Sequence, residues 1–106
     1  MTSTSRIDAL ERMIERNPDD ARIRFGLAME YERLGRWENA IEELKLYLAS
    51  ADDEGNAWGR LGRALSQLGR DEEAREAYRR GVDAAHRHGH PSMAAELEDA
   101  RELLGG

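Results

Sequence analysis

Three histidines near the end of the chain are the first candidates for chemistry. His86, His88 and His90 alternate with other residues as His-x-His-x-His. A zinc site needs imidazole nitrogens that converge on one point. Residues two apart on a helix point in different directions, so only an irregular turn at Gly89 and Pro91 would gather these rings. We therefore interpret the histidines as part of a solvated loop and predict no metal site.

Two acidic runs, at residues 52–54 and 71–73, are candidates for cation binding or acid–base catalysis. Neither run has the Asp-x-Asp-x-Asp-Gly spacing of a calcium loop. Both lie at the starts of predicted helices, where the helix dipole favours carboxylates. The chain contains no cysteine, and its sequence shows no phosphate-binding glycine loop, nucleophile motif or catalytic triad. We predict no catalytic residues, no cofactor and no enzymatic activity.

Length and charge narrow the class of protein. The chain has 106 residues, the size of one domain, and a net charge of −6 from 22 acidic and 16 basic residues. Because a phosphate backbone would be repelled, we expect no nucleic acid partner. No segment approaches the ~20 apolar residues that span a bilayer, and no signal peptide is evident, so we expect no membrane association and a cytoplasmic protein.

The chain repeats itself with a period of 34 residues, which aligns residues 21–54 with residues 55–88. Five of the seven identical pairs fall in one block, residues 35–42 of the first copy and 69–76 of the second. Because a repeated block of this kind indicates a repeated structural unit, it predicts that both copies fold alike. The identical pairs include Leu27/Leu61, Leu34/Leu68, Gly35/Gly69, Arg36/Arg70, Glu38/Glu72, Ala40/Ala74 and Glu42/Glu76.

The block predicts a helix, a tight turn and a second helix. Leu27, Tyr31 and Leu34 are spaced i, i+4 and i+7, which places them on one face of a helix. Gly35 follows, where a left-handed residue ends a helix without a Cβ penalty. Ala40 is small, as the crossing of two close helices requires. The second copy repeats this pattern with Leu61, Leu65, Leu68, Gly69, Glu72 and Ala74.

These positions resemble the tetratricopeptide repeat, in the form of a small bacterial-type protein. Residues 17–20, Asn-Pro-Asp-Asp, match the turn that closes a repeat of this family. The resemblance implies an all-α fold, an α-solenoid of antiparallel helix pairs. The motif residues are Leu27, Ala28, Tyr31, Gly35, Ala40 and Leu44 in the first copy, and Trp58, Leu61, Gly62, Leu65, Gly69, Ala74 and Tyr78 in the second.

The resemblance divides one domain, residues 1–106, into four segments. Residues 5–20 form a half-repeat helix, residues 21–54 and 55–88 are the two repeats, and residues 91–104 form a closing helix. The closing helix has apolar Met93 and Leu97 and a polar outer face, as the end of a repeat array requires. About six helices are predicted, near residues 5–16, 20–33, 37–49, 56–67, 72–87 and 92–103.

Three residues depart from the family pattern. Arg24 stands where the second copy has Trp58, so we expect that corner to pack differently in the two copies. Tyr47 and Gly81 stand where the family prefers alanine. Glycine inside a helix costs ~1 kcal/mol relative to alanine. We expect that a close approach of the following helix requires Gly81.

The resemblance also implies a function, the binding of a peptide segment of a partner protein in a concave groove. The family's clamp for C-terminal carboxylates needs Lys and Asn where this chain has Phe25 and Met29, so it is not expected. The alternatives are that a terminal helix covers these residues, or that the chain forms a homodimer without a foreign ligand. The groove positions implied are Arg22, Phe25, Met29, Glu32, Arg33, Asn56, Arg60, Arg63 and Gln67.

Overall fold

The computed structural model describes residues 3–104, and in this range it contains six helices and no strand. The all-α prediction is confirmed, and each predicted helix end lies within two residues of the observed one. The chain forms two compact units, residues 1–51 and residues 52–106. The first unit contains α1 (Ser3–Arg16), α2 (Ala21–Arg33) and α3 (Trp37–Ser50), and the second contains α4 (Asn56–Gln67), α5 (Asp71–Arg87) and α6 (Pro91–Leu103).

The first unit is held together by an apolar cluster that α1, α2 and α3 share. Ile7 of α1, Leu27 and Tyr31 of α2 and Ala40 of α3 are buried together, and Leu10 and Ile14 pack against them. Removal of these side chains from water is the main favourable contribution to the association of the helices. Ala40 has 0% exposure, which agrees with its predicted place between helices.

The turns between paired helices follow the prediction from the glycines. Gly35 and Gly69 have φ angles of 71° and 74°, in the left-handed region. After each glycine the chain turns back, so that Arg36 N donates to Tyr31 O at 2.8 Å and Arg70 N donates to Leu65 O at 2.9 Å. These bonds satisfy carbonyls that the helix ends would otherwise leave without partners.

The predicted apolar face is one residue too long in both repeats. Leu34 is 40% exposed and Leu68 is 37% exposed, whereas the preceding members of each stripe are buried. The helices end at Arg33 and Gln67, so each leucine belongs to the turn and not to the helical face. The buried face therefore ends at Tyr31 in the first repeat and at Leu65 in the second.

The second unit relies on glycines where helices approach closely. A Cβ atom on Gly62 would lie 2.7 Å from the Tyr78 ring, so the aromatic ring of α5 occupies the space of a missing side chain. A Cβ atom on Gly81 would lie 2.9 Å from Leu97 of α6 and 3.0 Å from the Cβ atom of Trp58. The expectation that the following helix requires Gly81 is confirmed.

Candidate peptide-binding surface

Two apolar groove positions of the first unit have different surroundings. Met29 is 39% exposed on α2. Phe25 lies one turn earlier, is half-buried and packs on Tyr47 of α3 with 5.1 Å between ring centroids and 50° between ring planes. A tilted aromatic pair of this kind contributes to stability beyond the burial of its surface. Met29 is therefore a surface side chain, whereas Phe25 also supports the α2–α3 contact.

Two of the charged groove positions of the first unit, Arg22 and Arg33, are paired with acidic residues of that unit. Arg22 is exposed, and its Nη2 atom lies 3.6 Å from Oδ2 of Asp20, the residue that caps the start of α2. Arg33 donates from Nη2 to Glu30 Oε2 at 2.8 Å. Glu32 is half-buried. A ligand that approached Arg33 would compete with an existing ion pair.

Glu30 is a charged residue that the sequence reasoning missed. It is 9% exposed and accepts hydrogen bonds from Arg33 and from Arg6 of α1, the latter at 3.0 Å. The hydrogen bond from Arg33 lowers the pKa of Glu30, and Arg6 adds to this effect, against the opposing effect of burial. The second copy has Ala64 at the equivalent position. This difference between the copies is the feature of the sequence that could have drawn attention to Glu30.

The predicted groove residues of the second unit lie on α4, a helix without any acidic residue. Asn56, Arg63 and Gln67 are exposed, and Arg60 is half-buried. The closing helix occupies part of the neighbouring surface, because Leu97 packs so closely on Gly59 that a Cβ atom there would lie 2.7 Å from Leu97 Cδ2. Because α4 has no acidic residue, its charged side chains, Arg60 and Arg63, are both positive, although the chain has a net charge of −6.

The corner at Arg24 and Trp58 packs differently in the two copies, as predicted. Arg24 donates from Nη1 to Glu43 Oε1 at 3.0 Å and from Nη2 to the carbonyl of Pro18 at 3.2 Å. Trp58 instead lies against Gly81, with the guanidinium of Arg80 5.5 Å from its ring centroid. An ion pair in one copy thus takes the place of an apolar contact in the other.

The histidine segment is more organised than the solvated loop that the sequence suggested. His90 Nε2 lies 2.8 Å from Glu54 Oε1, and His88 Nε2 lies 3.2 Å from Asp52 Oδ2. His86 is exposed. In residues 3–104 no group of three or more histidine and carboxylate side chains is arranged to hold a metal ion. The turn at Gly89 directs two of the three rings toward acids of the loop before α4.

Asp53, the middle residue of that acidic run, caps the start of α4. Its Oδ2 atom accepts hydrogen bonds from the backbone N–H groups of Gly55 at 2.8 Å and Ala57 at 2.9 Å. Asp53 is only 9% exposed, and these donors satisfy its buried carboxylate. The interpretation of this run as acids at a helix start is confirmed for Asp53.

Helix pairs closed by left-handed glycines, with alanine and glycine at the crossings, define a helical-repeat protein. The chain matches the model of the tetratricopeptide repeat family over residues 1–85 and belongs to that family. The fold of this family is a protein–protein interaction module, and its members are typically non-enzymatic scaffolds. Among the described residues, no helix has both the length and the apolar character that crossing a membrane requires.

Particular relatives agree with this assignment. The TPR repeat-containing protein PA0015 of Pseudomonas aeruginosa is 32% identical over 91 residues, which make up 86% of this chain and 87% of that protein. The solution structure of protein BPP2914 from Bordetella parapertussis matches with a TM-score of 0.77 and 28% identity, over 92% of this chain and 85% of that one. The small glutamine-rich tetratricopeptide repeat-containing protein 2 of Mycosarcoma maydis is 35% identical over 77 residues, which are 73% of this chain and 22% of that protein.

Proposed function

We propose that this chain binds a peptide segment of a partner protein through side chains on the first helix of each repeat, α2 and α4. The observation that carries the proposal is the exposed Met29 on α2, an apolar side chain that the unit's own core does not use. The family's function as an interaction module supports the same conclusion. No chemical step is part of this function, since recognition needs only apolar and polar contacts.

The two helices offer different kinds of contact. On α2, Met29 and the accessible part of Phe25 supply an apolar anchor, and thioether side chains adapt well to varied partners. On α4, Arg60 and Arg63 supply guanidinium groups that suit carboxylate or carbonyl acceptors. Buried aromatic and arginine contacts usually dominate binding energy at interfaces. The apolar side chains of α2 and the guanidinium groups of α4 are therefore each suited to contacts with a peptide segment.

The experiment is affinity capture from native lysate, followed by titration of the captured partner against variants. Met29→Ala is the cleanest variant, because this side chain is exposed and its loss should leave thermal stability nearly unchanged. Arg63→Glu tests α4. We expect each variant to weaken binding at least tenfold. Leu46→Ala is the matched control, since Leu46 is 50% exposed on α3 and is not a predicted groove position.

Retention of full affinity by both Met29→Ala and Arg63→Glu would contradict the proposal. So would a loss of affinity in Leu46→Ala equal to that in Met29→Ala, because the loss would then not be specific to α2. Phe25→Ala is expected to lower the unfolding temperature as well as affinity, since it removes the contact with Tyr47. The triple variant of His86, His88 and His90 to alanine should keep the partner.

Self-association is the second candidate function. Met13 on α1 and Leu46 on α3 are 48% and 50% exposed, so the first unit has large apolar side chains in contact with solvent away from α2. Such side chains favour pairing of two copies when they join into one patch. Mass measurement by light scattering across a hundredfold range of concentration tests this alternative. A mass that rises to twice the monomer and falls in Leu46→Arg would support a homodimer.

A further inference from the structure

In the first unit, two arginines from different helices share one carboxylate beside α2. Arg6 Nη1 of α1 lies 3.0 Å from Glu30 Oε1, and Arg33 Nη2 of α2 lies 2.8 Å from Glu30 Oε2. The Glu30 side chain is 11% exposed, whereas those of Arg6 and Arg33 are 66% and 53% exposed. We call these three residues the Arg–Glu–Arg cluster. Its buried acid supports two guanidinium groups that a ligand can reach from solvent.

The charges of the cluster do not cancel. One negative carboxylate faces two positive guanidinium groups, so the cluster has a net charge of +1 in a chain of net charge −6. Guanidinium stays protonated in proteins, and its planar fork of N–H donors matches the two oxygens of a carboxylate. The ligand group that this charge and shape favour is therefore a second carboxylate.

The presence of Arg6 lowers the cost of binding at Arg33. A ligand carboxylate that reached Arg33 would compete with Glu30 for the same guanidinium. A buried carboxylate that lost its last partner would be strongly destabilising. Glu30 would not reach that state, because its other oxygen accepts a hydrogen bond from Arg6 at 3.0 Å. Arg33 can therefore turn toward a ligand while Glu30 keeps a positive partner.

The repeat fold does not require the cluster. The second copy has Ala64 and Gln67 at the positions equivalent to Glu30 and Arg33, yet α4 is only one residue shorter than α2. Replacing a buried ion cluster by apolar residues is often neutral or stabilising, so such a cluster is weak evidence of a role in stability. A role in binding explains why only the first copy carries the cluster.

The cluster lies next to the apolar side chain on which the proposed function rests. Met29 and Arg33 are four residues apart on α2, so their Cβ atoms share one face of the helix at about 5–6 Å. In an extended peptide, side chains two positions apart point the same way and are separated by about 6–7 Å. The step from Met29 to Arg33 therefore corresponds to two residues of an extended ligand.

We propose that the Arg–Glu–Arg cluster binds an acidic side chain of the partner segment, two positions from the apolar residue that contacts Met29. This inference rests on the proposed function, since Met29 supplies the apolar half of the motif. The acid accepts hydrogen bonds from Arg33 and lies close to Arg6, while Glu30 positions both guanidinium groups from below. Met29 alone would accept many apolar residues, so the cluster provides the selectivity for charge.

The test begins with selection of short random peptides, displayed on phage, by the immobilised full chain. Peptides selected by the wild type should share an apolar residue and an Asp or Glu two positions away. One selected peptide is then synthesised with this acid and again with its amide, and both forms are titrated. For the wild type, the amide form should bind about threefold to fivefold more weakly, as the loss of a partly exposed ion pair predicts.

Variants of the two arginines assign this preference to the cluster. In Arg33→Gln the acid and amide forms should differ by less than about twofold, since the ion pair can no longer form. Arg6→Gln should reduce the preference as well, whereas Arg33→Lys should retain part of it, because lysine keeps the charge without the fork. Arg12→Gln is the matched control, since Arg12 is another exposed arginine of α1. It should keep the wild-type preference.

Salt gives a second measurement that needs no variant. The preference for the acid form should fall as salt rises from about 0.1 M to about 1 M, because partly exposed charges are screened. Peptides that need Met29 but show no preference for an acid would overturn this inference and leave the proposed function standing. An acid preference that Arg12→Gln removes as fully as Arg33→Gln would overturn it too. Failure to select any peptide would contradict both proposals.

Discussion

Leu97 of α6 packs directly on Gly81 of α5, in the space that a side chain at residue 81 would occupy. An added Cβ atom would lie 2.9 Å from Leu97 Cδ1. The same added Cβ atom would also lie 3.0 Å from the Cβ atom of Trp58. The apolar contact that α6 gains at this position offsets the ~1 kcal/mol that glycine costs inside a helix.

Replacement of Gly81 by alanine should destabilise the protein although alanine is the better helix former. Leu97 has a flexible end, but the Cβ atom of Trp58 is attached to the backbone of α4 and cannot move alone. We expect a net loss of about 1–2 kcal/mol in the free energy of unfolding. Gly26→Ala is the matched control, because its nearest neighbour would be Leu10 at 3.7 Å, an ordinary contact. Gly26→Ala should raise stability by about 0.5–1 kcal/mol, and chemical denaturation of both variants would reveal the opposite signs.

The closing helix should shield the helices on which it packs. Deletion of residues 91–106 would uncover Gly59 and Gly81, where Leu97 now lies, and should lower solubility and the unfolding temperature. Leu97→Ala is the milder variant, with an expected loss of about 1–2 kcal/mol for a half-buried leucine. Leu103→Ala is its control, since Leu103 is 87% exposed on the same helix. A truncated protein that stayed monomeric with unchanged thermal stability would refute the shielding role.

Ala40 and Ala74 should not tolerate larger side chains. Both are 0% exposed, at equivalent positions of the two repeats. Ala40→Leu or Ala74→Leu should overpack the helix crossing and cost about 1–3 kcal/mol. Ala49→Leu is the control, because Ala49 is exposed on α3. Urea unfolding midpoints would separate the three variants, and midpoints equal to wild type for all of them would mean that the crossings can expand without cost.

Asp53→Ala should shorten or loosen the start of α4. The substitution removes the acceptor for three backbone N–H groups, those of Gly55, Ala57 and Trp58, and loss of a helix cap costs about 0.5–2 kcal/mol. Hydrogen exchange at residues 55–58 should become faster as a result. Asp52→Ala is the neighbouring control, since Asp52 is exposed and accepts from none of these N–H groups. If both variants showed the same exchange, capping by Asp53 would not explain the start of α4.

The repeat pattern made most of the fold predictable from sequence. Apolar spacing of 3.6 residues, glycine at helix ends and small residues at crossings are local rules, and α2, α4 and α5 are each followed by a left-handed glycine as these rules predict. The prediction that Leu34 belongs to the buried face of the helix was wrong, because the position of a helix end depends on which residue adopts the left-handed conformation. The preceding leucine already belongs to the turn, although its spacing in the sequence still fits the helix.

The sequence by itself determined the helices, the turns and the family, because these depend on neighbours within one or two turns of the chain. Tertiary structure decided which charges meet: Arg6 with Glu30, Arg24 with Glu43, and His90 with Glu54. Those pairs join residues that are 19 to 36 positions apart, at distances that no local pattern encodes. An ion pair forms only where packing of the backbone brings two flexible side chains within about 4 Å, and that packing is the result of burying the apolar faces.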